Sequence, residues 1–524
     1  MRFYSVTLGC KVNQYETQAI ESILRAHGHT RVKPGAGCDV CVINTCAVTA
    51  ESARKSRQAL RRIKNLEPSA LIAVCGCLAQ LEPSTISEIG ADLIGGSGDR
   101  HGFALQIEGL VQGAGDAGDE GSGVRGQGSG DAGGEGSGDR DDLRKNQNRA
   151  QRSGSVLERT NNEMERMPEP ARAKRSEVYE DEATKRARNR ACEVSRLSEV
   201  RDDEGIPNSE FEDLPPGGVD GRTRALLKIQ DGCDNFCAYC VIPYARGRVR
   251  SLLPHKAVEY ARQLDERGFL EIVITGIEIS SYGKDLLRYE ESGDEGAAHS
   301  ALVGVIRGIS AAAPHARLRL GSLDPGAITE AFCHELSTIK NLCDHFHLSL
   351  QSGCDETLRR MGRKYSTDTV LETILSLRRH FPECGITADL ITGFPGETDM
   401  EFEQTLDFIK SASFSGMHIF PFSPRPGTRA AVMPGQIKKG IRYERAKIAS
   451  ASAEDMALDF RLAQIGKTVE VLFERERDGH WIGHSRNYME VAVNNGGVRN
   501  VIMPVLITGV NADGVVFGMI CDKR

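Results

Sequence analysis

The sequence predicts an α/β protein with a parallel α/β domain, a complete or partial (β/α) barrel and a small all-β barrel. Strand-like apolar runs alternate with amphipathic helical stretches over residues 1–110 and again over residues 221–450. This alternation is typical of parallel sheets with crossover helices. Residues after about 453 contain only short strand-like runs separated by Gly and Asn turns. The chain of 524 residues is long enough for about two to four domains.

The first domain is predicted to span residues 1–112. Its apolar runs predict three strands, at Phe3–Leu8, Val40–Asn44 and Leu71–Cys75. Amphipathic stretches that follow these strands predict helices at Asn13–Ala26, at about Ala50–Lys64 and around Pro83–Ile89. Because each strand is followed by a helix, the sheet is expected to be mostly parallel.

Residues 113–216 interrupt this pattern. Glycine is almost every second residue between Gly113 and Gly138, and the remainder is rich in charged and small polar residues with few large apolar ones. Such a composition cannot bury enough apolar surface to offset the entropy of ordering the chain. We therefore predict a flexible, low-complexity insert.

The central domain, predicted at residues 217–452, repeats the alternation of strand and helix. Six strands are predicted, at Ala225–Ile229, Glu271–Thr275, Arg317–Gly321, Phe346–Leu350, Gly385–Ile391 and Gly416–Phe420. This number of strands with helices between them indicates a complete or partial (β/α) barrel. The last domain, predicted at 453–524, is expected to be a small β-barrel. Its strands are predicted at Lys467–Glu474, Met489–Val493, Arg499–Ile507 and Gly514–Ile520.

Composition excludes several classes of protein. The chain has no apolar run of the roughly 20 residues that a membrane-spanning helix needs, and its start does not have the pattern of a secretory signal. We therefore expect a cytoplasmic protein with no membrane partner. In that reducing compartment, 15 cysteines indicate metal ligation, catalysis or inert thiols rather than disulfides. The net charge of -7 means that an RNA-binding surface must be a local patch.

The strongest motif is a group of three cysteines, Cys233, Cys237 and Cys240, just after the first strand of the barrel. The spacing CxxxCxxC supplies three thiolates for a [4Fe–4S] cluster and leaves one iron open for a ligand. A zinc site is the alternative, but zinc prefers four protein ligands and would need a distant fourth one. The position at the carboxyl end of a barrel strand is where catalytic groups are expected.

A second set of cysteines follows the strands of the first domain. Cys10 follows the first strand, Cys46 the second, and both Cys75 and Cys77 lie at the end of the third. The carboxyl ends of parallel strands share one edge, so these thiols can meet and hold a second cluster with an open iron. We prefer Cys77 to Cys75 as the third ligand, because Cys75 is expected to point into the core while Gly76 lets the chain turn.

These motifs resemble those of the radical S-adenosylmethionine methylthiotransferase family. The resemblance covers nearly all of the chain outside 113–216, and includes GCKVNQYET, NTCAVT, GCLAQ, KIQDGC, RLGSLDP, HLSLQSG and DLITGFPGET. It implies a flavodoxin-like first domain, a radical-SAM barrel and a TRAM-like RNA-binding barrel. It also implies two [4Fe–4S] clusters, S-adenosylmethionine as cofactor and a cluster-derived radical that activates the substrate.

The form GCKVNQYET resembles the branch of the family that methylthiolates C2 of N6-threonylcarbamoyladenosine at tRNA position 37. The partners implied are the tRNA anticodon loop and an electron donor such as flavodoxin or ferredoxin. Three alternatives remain: isopentenyladenosine in tRNA, a ribosomal-protein aspartate, or a non-catalytic, metal-dependent RNA-binding protein.

Further residues carry weaker predictions. By resemblance, Tyr239 lies against the adenine of S-adenosylmethionine, and Gly393 and Glu397 approach its adenosyl group, although a simple turn explains the two glycines nearly as well. The role of Glu278, at a strand end, is left open. Basic and aromatic side chains predict contacts to RNA, and the residues are Arg246, Arg248, Arg250, Trp481, Arg486 and Tyr488.

Overall fold

The computed structural model describes residues 1–116, 210–217, 222–287 and 295–521. The chain divides into two compact units. The smaller, Glu108–Tyr179, is described only at its first residues, which form the end of a helix that begins in the larger unit. Most of the predicted insert, 117–209, is likewise outside the described part of the chain.

Five parallel strands form the sheet of the first domain. They are β1 (Arg2–Thr7), β2 (Thr30–Arg31), β3 (Val40–Thr45), β4 (Leu71–Gly76) and β5 (Leu93–Ile94), in the order β2-β1-β3-β4-β5. This is the flavodoxin-like order, which confirms the predicted class. The short strands β2 and β5 were not predicted because two residues give no readable periodicity.

The helices of this domain begin almost directly at the ends of its strands. They are α1 (Lys11–Ala26), α2 (Ala50–Leu66), α3 (Cys77–Leu81), α4 (Pro83–Ile89) and α5 (Arg100–Asp116). The side chain of Thr49 caps α2 by accepting a hydrogen bond from the backbone N–H of Ser52. The short connections after β1, β3 and β4 bring residues 8–10, 46–49 and 76–77 to one edge of the sheet.

The central domain is a partial barrel made of two parallel sheets. One has the order β10-β9-β6, with β6 (Arg224–Lys228), β9 (Glu271–Thr275) and β10 (Arg317–Leu320). The other has the order β11-β12-β13-β14, with β11 (Ser322–Leu323), β12 (His345–Gln351), β13 (Gly385–Thr392) and β14 (Gly416–Pro421). A short antiparallel pair, β7 (Gln230–Asp231) and β8 (Arg250–Ser251), lies beside the cysteine loop.

The two sheets are continuous in sequence at Gly321, and the barrel is open between its outer strands β6 and β14. The helices of the central domain are Ile242–Arg246, Pro254–Glu266, Lys284–Leu287, Glu295–Ala312, Glu330–Ser337, Asp355–Met361, Thr367–His380, Asp399–Ala412, Arg429–Val432 and Lys439–Leu462. Side chains alternate along β12. Phe346, Leu348 and Leu350 belong to the hydrophobic core, so the residues between them face the barrel interior.

The last strands close into a five-stranded barrel with the order β15-β16-β17-β19-β18. They are β15 (Thr468–Arg477), β16 (His480–Ser485), β17 (Glu490–Val493), β18 (Ile502–Val510) and β19 (Val516–Ile520). Strand β16 was missed because Gly483 breaks its pattern. A Cβ atom at Gly483 would lie 2.3 Å from the carbonyl oxygen of Leu472, so the close pairing with β15 needs glycine.

Two predicted boundaries need correction. The boundary at 452/453 falls inside the helix Lys439–Leu462, and the barrel itself begins at Thr468. The last residues of the predicted flexible insert are packed against the folded domains. The Tyr15 hydroxyl donates a 2.6 Å hydrogen bond to the Leu214 carbonyl, and Leu214 is 3% exposed. Composition misses this because so short a segment is hidden by the polar stretch before it.

The first domain contacts both outer strands of the open barrel. On the β6 side, the Lys228 ammonium lies 3.1 Å from Glu16 on α1. On the β14 side, the backbone N–H of Ala50 donates to the Ser423 hydroxyl at 2.9 Å, and Arg425 lies 3.6 Å from Glu82. The first domain therefore covers the side opening of the barrel.

The C-terminal barrel covers the amino-terminal ends of β6, β9 and β10. Arg317 and Arg319 share the buried carboxylate of Glu271, and their guanidiniums also donate to the carbonyl oxygens of residues 484–486. Arg224 pairs with Glu474 at 2.9 Å. The interior of the partial barrel is thus bounded by the first domain at the side opening and by the C-terminal barrel at the amino-terminal ends of β6, β9 and β10.

We predict that Gly76→Ala destabilises the first domain. Gly76 has φ +97°, and a Cβ atom there would lie 2.3 Å from Asn44 Oδ1 and 2.5 Å from the Thr45 carbonyl oxygen. Adding strain of this kind is expected to lower the free energy of unfolding by about 1–3 kcal/mol, measured by urea denaturation. Gly109→Ala is the control, because Gly109 is helical with no atom within 4 Å of its Cβ position. Equal stability of the two variants would contradict the prediction.

Candidate active site

Three cysteines of the first domain meet at the carboxyl edge of its sheet. Cys10 precedes α1, Cys46 follows β3, and Cys77 is the first residue of α3. Burial raises the pKa of the Cys46 thiol to about 12, and the thiols of Cys77 and Cys10 raise it further. A Cβ atom at Gly9 would lie 3.0 Å from Cys46 Sγ, so the glycine lets the chain pass close to this thiol.

The fourth cysteine at this edge, Cys75, has different surroundings. It lies within β4 and is fully buried. Burial raises its pKa to about 11, while the charge of Arg100 lowers this pKa and that of Glu16 raises it. The structure thus places Cys77 beside the other two thiols, because the turn at Gly76 redirects the chain between the two cysteines.

The second set of thiols lies on the loop after β6. Burial raises the pKa of Cys240 to about 12, with a further contribution from Cys237, and the charge of Cys77 acts in the same direction. Burial also raises the pKa of Cys233. Arg246, six residues after Cys240, donates a hydrogen bond to Cys77 Sγ at 3.3 Å, so the cysteine loop lies next to the thiol set of the first domain.

The donor set fits the two predicted iron–sulfur clusters. Each set consists of three thiols, largely buried and mutually repulsive when ionised, so a bound cation is needed to stabilise the thiolates. Among the described residues, no three His, Cys, Asp or Glu side chains come together closely enough to hold a single metal ion. Each thiolate of a [4Fe–4S] cluster binds a different iron, so its ligands stand further apart than those of one ion.

A buried network of charges joins the two sets of thiols. The Arg246 guanidinium is fully buried and lies 2.8 Å from Glu16 and 3.0 Å from Asp231. Its Nε donates to Cys77 Sγ at 3.3 Å, and its Nη2 donates to Asn13 Oδ1 at 2.7 Å. Arg246 follows the loop of Cys233–Cys240, so one side chain connects that loop to the other domain.

Opposite charges balance inside this network. Burial opposes ionisation of Glu16, but Arg246, Arg100 and Lys228 outweigh it and hold the pKa of this carboxyl well below its usual range. Arg246 and Lys228 likewise lower the pKa of Asp231 against the effect of burial. Both carboxylates are therefore ionised at neutral pH, and the network stays intact.

The prediction that Arg246 and Arg250 contact RNA phosphates is wrong. Arg246 is enclosed by the network, and Arg250 donates to the Arg246 carbonyl at 2.6 Å and lies 3.4 Å from Asp231. Arg248 differs, because its side chain is 42% exposed and its guanidinium lies 4.7 Å from the centre of the Phe236 ring. Of these three arginines, Arg248 alone remains a candidate for contact with RNA.

A second arginine contacts the cysteine loop from inside the barrel. Arg363 donates to Cys237 Sγ at 3.2 Å and to Asp324 at 2.8 Å. Burial, with a smaller contribution from Asp324, raises the pKa of Glu278 to about 7. The predicted adenine-contacting residue Tyr239 packs against the apolar cluster that contains Met361 and Phe394.

The structure gives Gly393 and Glu397 a role in loop closure. The Glu397 carboxylate accepts hydrogen bonds from the backbone N–H groups of Gly393 and Phe394, and Arg445 donates to it at 2.8 Å. Gly393 has φ +72°, and a Cβ atom there would lie 2.3 Å from Arg442 Cγ. The turn interpretation therefore replaces the expected approach to the adenosyl group, because the carboxylate is already occupied by protein donors.

The three residues of the C-terminal barrel that were expected to contact RNA face the protein. Trp481 packs against the barrel core and against Gly497. Arg486 donates to the Lys340 carbonyl at 3.1 Å and lies 3.5 Å from Asp344. Tyr488 stacks on His345 with 4.6 Å between ring centres. All three side chains therefore have partners within the protein, and their contact with RNA stays a prediction.

Sequence reasoning missed Glu16, Asp231 and Arg363. Glu16 stands in the same motif as Cys10, six residues later, and Asp231 stands two residues before Cys233. Their closeness in sequence to a candidate ligand cysteine was the signal that could have pointed to them. Nothing in the local pattern predicts that these charges are buried, since their partners are distant in sequence.

Two family models match the parts of the chain that carry the two sets of cysteines. Residues 227–409 match the Radical SAM superfamily, and residues 2–96 match the Uncharacterized protein family UPF0004. The chain is 31% identical over 93% of its length to the threonylcarbamoyladenosine tRNA methylthiotransferase MtaB of Bacillus subtilis, and covers 88% of that protein. It is 28% identical to the tRNA-2-methylthio-N(6)-dimethylallyladenosine synthase of Moorella thermoacetica, over 90% of this chain and 87% of that one.

Among solved structures, the radical S-adenosylmethionine methyltransferase TsrM of Kitasatospora setae matches with a TM-score of 0.47 and 15% identity. The match covers 82% of this chain and 77% of that one. Within the described residues, no helix is both long and apolar enough to cross a bilayer.

We predict that Arg246→Leu strongly destabilises the protein, whereas Arg248→Leu does not. Removing one partner of a buried ion network leaves uncompensated charge, which is expected to lower the free energy of unfolding by about 3–5 kcal/mol. Arg248 is half-exposed, so its loss should change stability by no more than about 0.5 kcal/mol. Urea denaturation of both variants measures the difference. Comparable losses would show that the network does not hold the domains together.

Proposed function

The chain belongs to the radical S-adenosylmethionine methylthiotransferase family, and on that premise we propose that it methylthiolates C2 of N6-threonylcarbamoyladenosine at tRNA position 37. It is a radical S-adenosylmethionine enzyme that transfers a methylthio group to tRNA. Its cofactors are S-adenosylmethionine and [4Fe–4S] clusters. The observation that carries the choice of substrate is the 31% identity, across nearly the whole chain, to the Bacillus subtilis enzyme of that specificity.

We assign one cluster to each set of thiols. Cys233, Cys237 and Cys240 are proposed to hold the cluster that binds S-adenosylmethionine. The auxiliary cluster is proposed to be held by the thiols at the edge of the first domain, Cys10, Cys46 and Cys77. When bound, the clusters and S-adenosylmethionine supply the radical and sulfur chemistry that replaces an unreactive aromatic C–H bond.

The protein itself has two remaining tasks: to position the two clusters and the substrate, and to exclude water from the site. The hydrogen bond from Arg246 to Cys77 and its ion pair with Asp231 hold the two thiol sets at a fixed separation. The first domain covers the side opening of the barrel, so the target base reacts in an enclosed space. The base must leave the stack of its loop to enter. We propose that flavodoxin or ferredoxin supplies the electrons.

A second candidate substrate is N6-dimethylallyladenosine in tRNA. It is favoured by the 28% identity to the Moorella thermoacetica enzyme, over a similar share of the chain. Because this identity is lower than the 31% to the Bacillus subtilis enzyme, we treat N6-dimethylallyladenosine as the alternative substrate. The two substrates share the adenine and differ in the group on N6, which is charged in the first and apolar in the second.

Substitution of single cysteines is expected to separate the two clusters. After anaerobic reconstitution the wild type should contain about eight irons per chain, and Cys237→Ala and Cys46→Ala about four each, because each loses one [4Fe–4S] cluster. Cys237→Ala should form no 5′-deoxyadenosine. Cys46→Ala should still form it but should transfer no methylthio group.

The control for these variants is Cys333→Ala, because Cys333 lies in the core of the central domain, away from both thiol sets. It should retain eight irons and full transfer. Methylthio transfer by Cys46→Ala would refute the assignment of the auxiliary cluster.

The substrate is tested by nucleoside mass spectrometry of tRNA. Deleting the gene should remove 2-methylthio-N6-threonylcarbamoyladenosine and leave N6-threonylcarbamoyladenosine in its place. Re-expression of the wild type, but not of Cys237→Ala, should restore the product. Unchanged product, or loss of the dimethylallyl derivative instead, would refute the choice of substrate.

A further inference from the structure

An arginine and two aromatic side chains form a surface beside the cysteine loop, Cys233–Cys240. The Arg248 guanidinium lies over the Phe236 ring, with 4.7 Å between its central carbon and the ring centre. The Tyr244 ring packs against Phe236 in a T-shaped arrangement, with 6.1 Å between the ring centres. The side chain of Arg248 is 42% exposed and Tyr244 is 38% exposed, so a ligand can reach this surface. We call these three residues the platform.

The platform is attached to the loop that carries three proposed cluster ligands. Phe236 directly precedes Cys237 in the chain. The residue before Arg248 is Gly247, and its carbonyl oxygen accepts a 3.1 Å hydrogen bond from the backbone N–H of Cys233. Both sides of the platform are therefore anchored next to a proposed ligand. An RNA that delivers a base to this cluster must pass close to the loop, so contacts at the platform are within its reach.

Phe236 has a backbone conformation that is unusual for an aromatic residue. Its φ of +46° lies in the left-handed region, which is sterically unfavourable for a bulky side chain. Residues in such conformations cluster at functional sites, where the surrounding structure holds them in place. Here the exposed side chain of Arg429 donates to the Phe236 carbonyl at 3.5 Å. We take the strained turn as a second indication that this surface has a role beyond folding.

The composition of the platform specifies the chemistry of its ligand. The whole chain has a net charge of -7, yet two exposed arginines, Arg248 and Arg429, lie at Phe236. A guanidinium held on an aromatic ring presents a flat face that stacks on nucleobases and a charge that attracts phosphate. An acidic peptide would use the charge but has no base to stack on the flat face. Single-stranded nucleic acid uses both properties.

We propose that the Arg248 guanidinium, supported by Phe236 and Tyr244, stacks on the base of a loop nucleotide that flanks the target adenosine in tRNA. When the target base leaves the stack, its neighbour loses a stacking partner, and the platform replaces that partner. The guanidinium already lies on a ring before RNA binds, so less side-chain entropy is lost on binding. This inference rests on the proposed function only in taking the anticodon loop of tRNA as the ligand.

The test separates stacking from charge with Arg248→Lys, which keeps the positive charge but has no planar group. Kd of the reconstituted enzyme is measured by fluorescence anisotropy with a labelled anticodon stem-loop RNA that carries N6-threonylcarbamoyladenosine. Arg248→Lys is expected to raise this Kd about tenfold, as the loss of one stacking contact does. Its dependence of log Kd on log salt should equal that of the wild type, because the slope counts charged contacts.

RNAs that lack one loop base identify the stacked nucleotide. Removing the base of the flanking nucleotide should raise Kd of the wild type about tenfold. With that RNA, Arg248→Lys should change Kd less than twofold, because the stacking partner is already absent. At loop positions away from the target, the effects of the two changes should multiply.

Arg267→Lys is the matched control. The Arg267 guanidinium lies 5.4 Å from the centre of the Phe269 ring, which is the same kind of pair, but it precedes the amino-terminal end of β9. This variant should leave Kd unchanged, and Arg248→Lys should retain the iron content of the wild type. A Kd of Arg248→Lys within twofold of the wild type would overturn the proposal. Loss of iron, or the same weakening with every abasic RNA, would overturn it too.

Failure of this inference is distinguishable from failure of the proposed function. If Arg248→Lys weakens binding as expected but the wild type forms no methylthio product from the threonylcarbamoyl RNA, the proposed substrate is wrong and the platform stands. If the wild type forms the product while Arg248→Lys binds the RNA as tightly as the wild type does, the substrate stands and the platform is refuted.

Discussion

The structure depends on one buried guanidinium. Arg246 satisfies two carboxylates from different domains and donates to a thiol of the auxiliary set. Burying a charge is tolerated only when it is fully paired, so the domains can pack in the single arrangement that brings Glu16 and Asp231 to the same point. Chemistry at two separate clusters needs a fixed distance between them. The directional ion pairs of Arg246 fix this distance, whereas an apolar interface would let the two domains slide past each other.

Paired buried charges also hold the C-terminal barrel against the central domain. Glu271 holds Arg317 and Arg319, which then use their remaining N–H groups to bind carbonyl oxygens of the C-terminal barrel. Both interfaces of the central domain are thus built from arginine that is already neutralised by a carboxylate. This arrangement gives directional contacts between the domains at low net charge.

The architecture was readable from the sequence because its strands follow strict periodicity. The alternation of apolar and polar residues along β12 and β13, and the glycine before Cys77, involve only neighbouring residues. Such patterns can therefore be recognised without knowledge of the fold. The roles of Arg246 and Tyr488 could not be predicted from the sequence, because both side chains have their partners in other domains. A basic or aromatic residue beside a motif has the same appearance whether it binds RNA or holds a domain interface.

The attachment of residues 210–214 has a consequence for how this chain can vary. Leu214 is held by Tyr15 on α1, and Glu212 accepts a hydrogen bond from the backbone of His101 at the start of α5. Residues 210–214 therefore rejoin the first domain beside the start of α5. Closing a loop between fixed ends costs entropy that grows only with the logarithm of its length. A change in the number of residues between these two anchors therefore alters the closure entropy only slightly, so chain length there can vary while the contacts of Tyr15 and His101 stay in place.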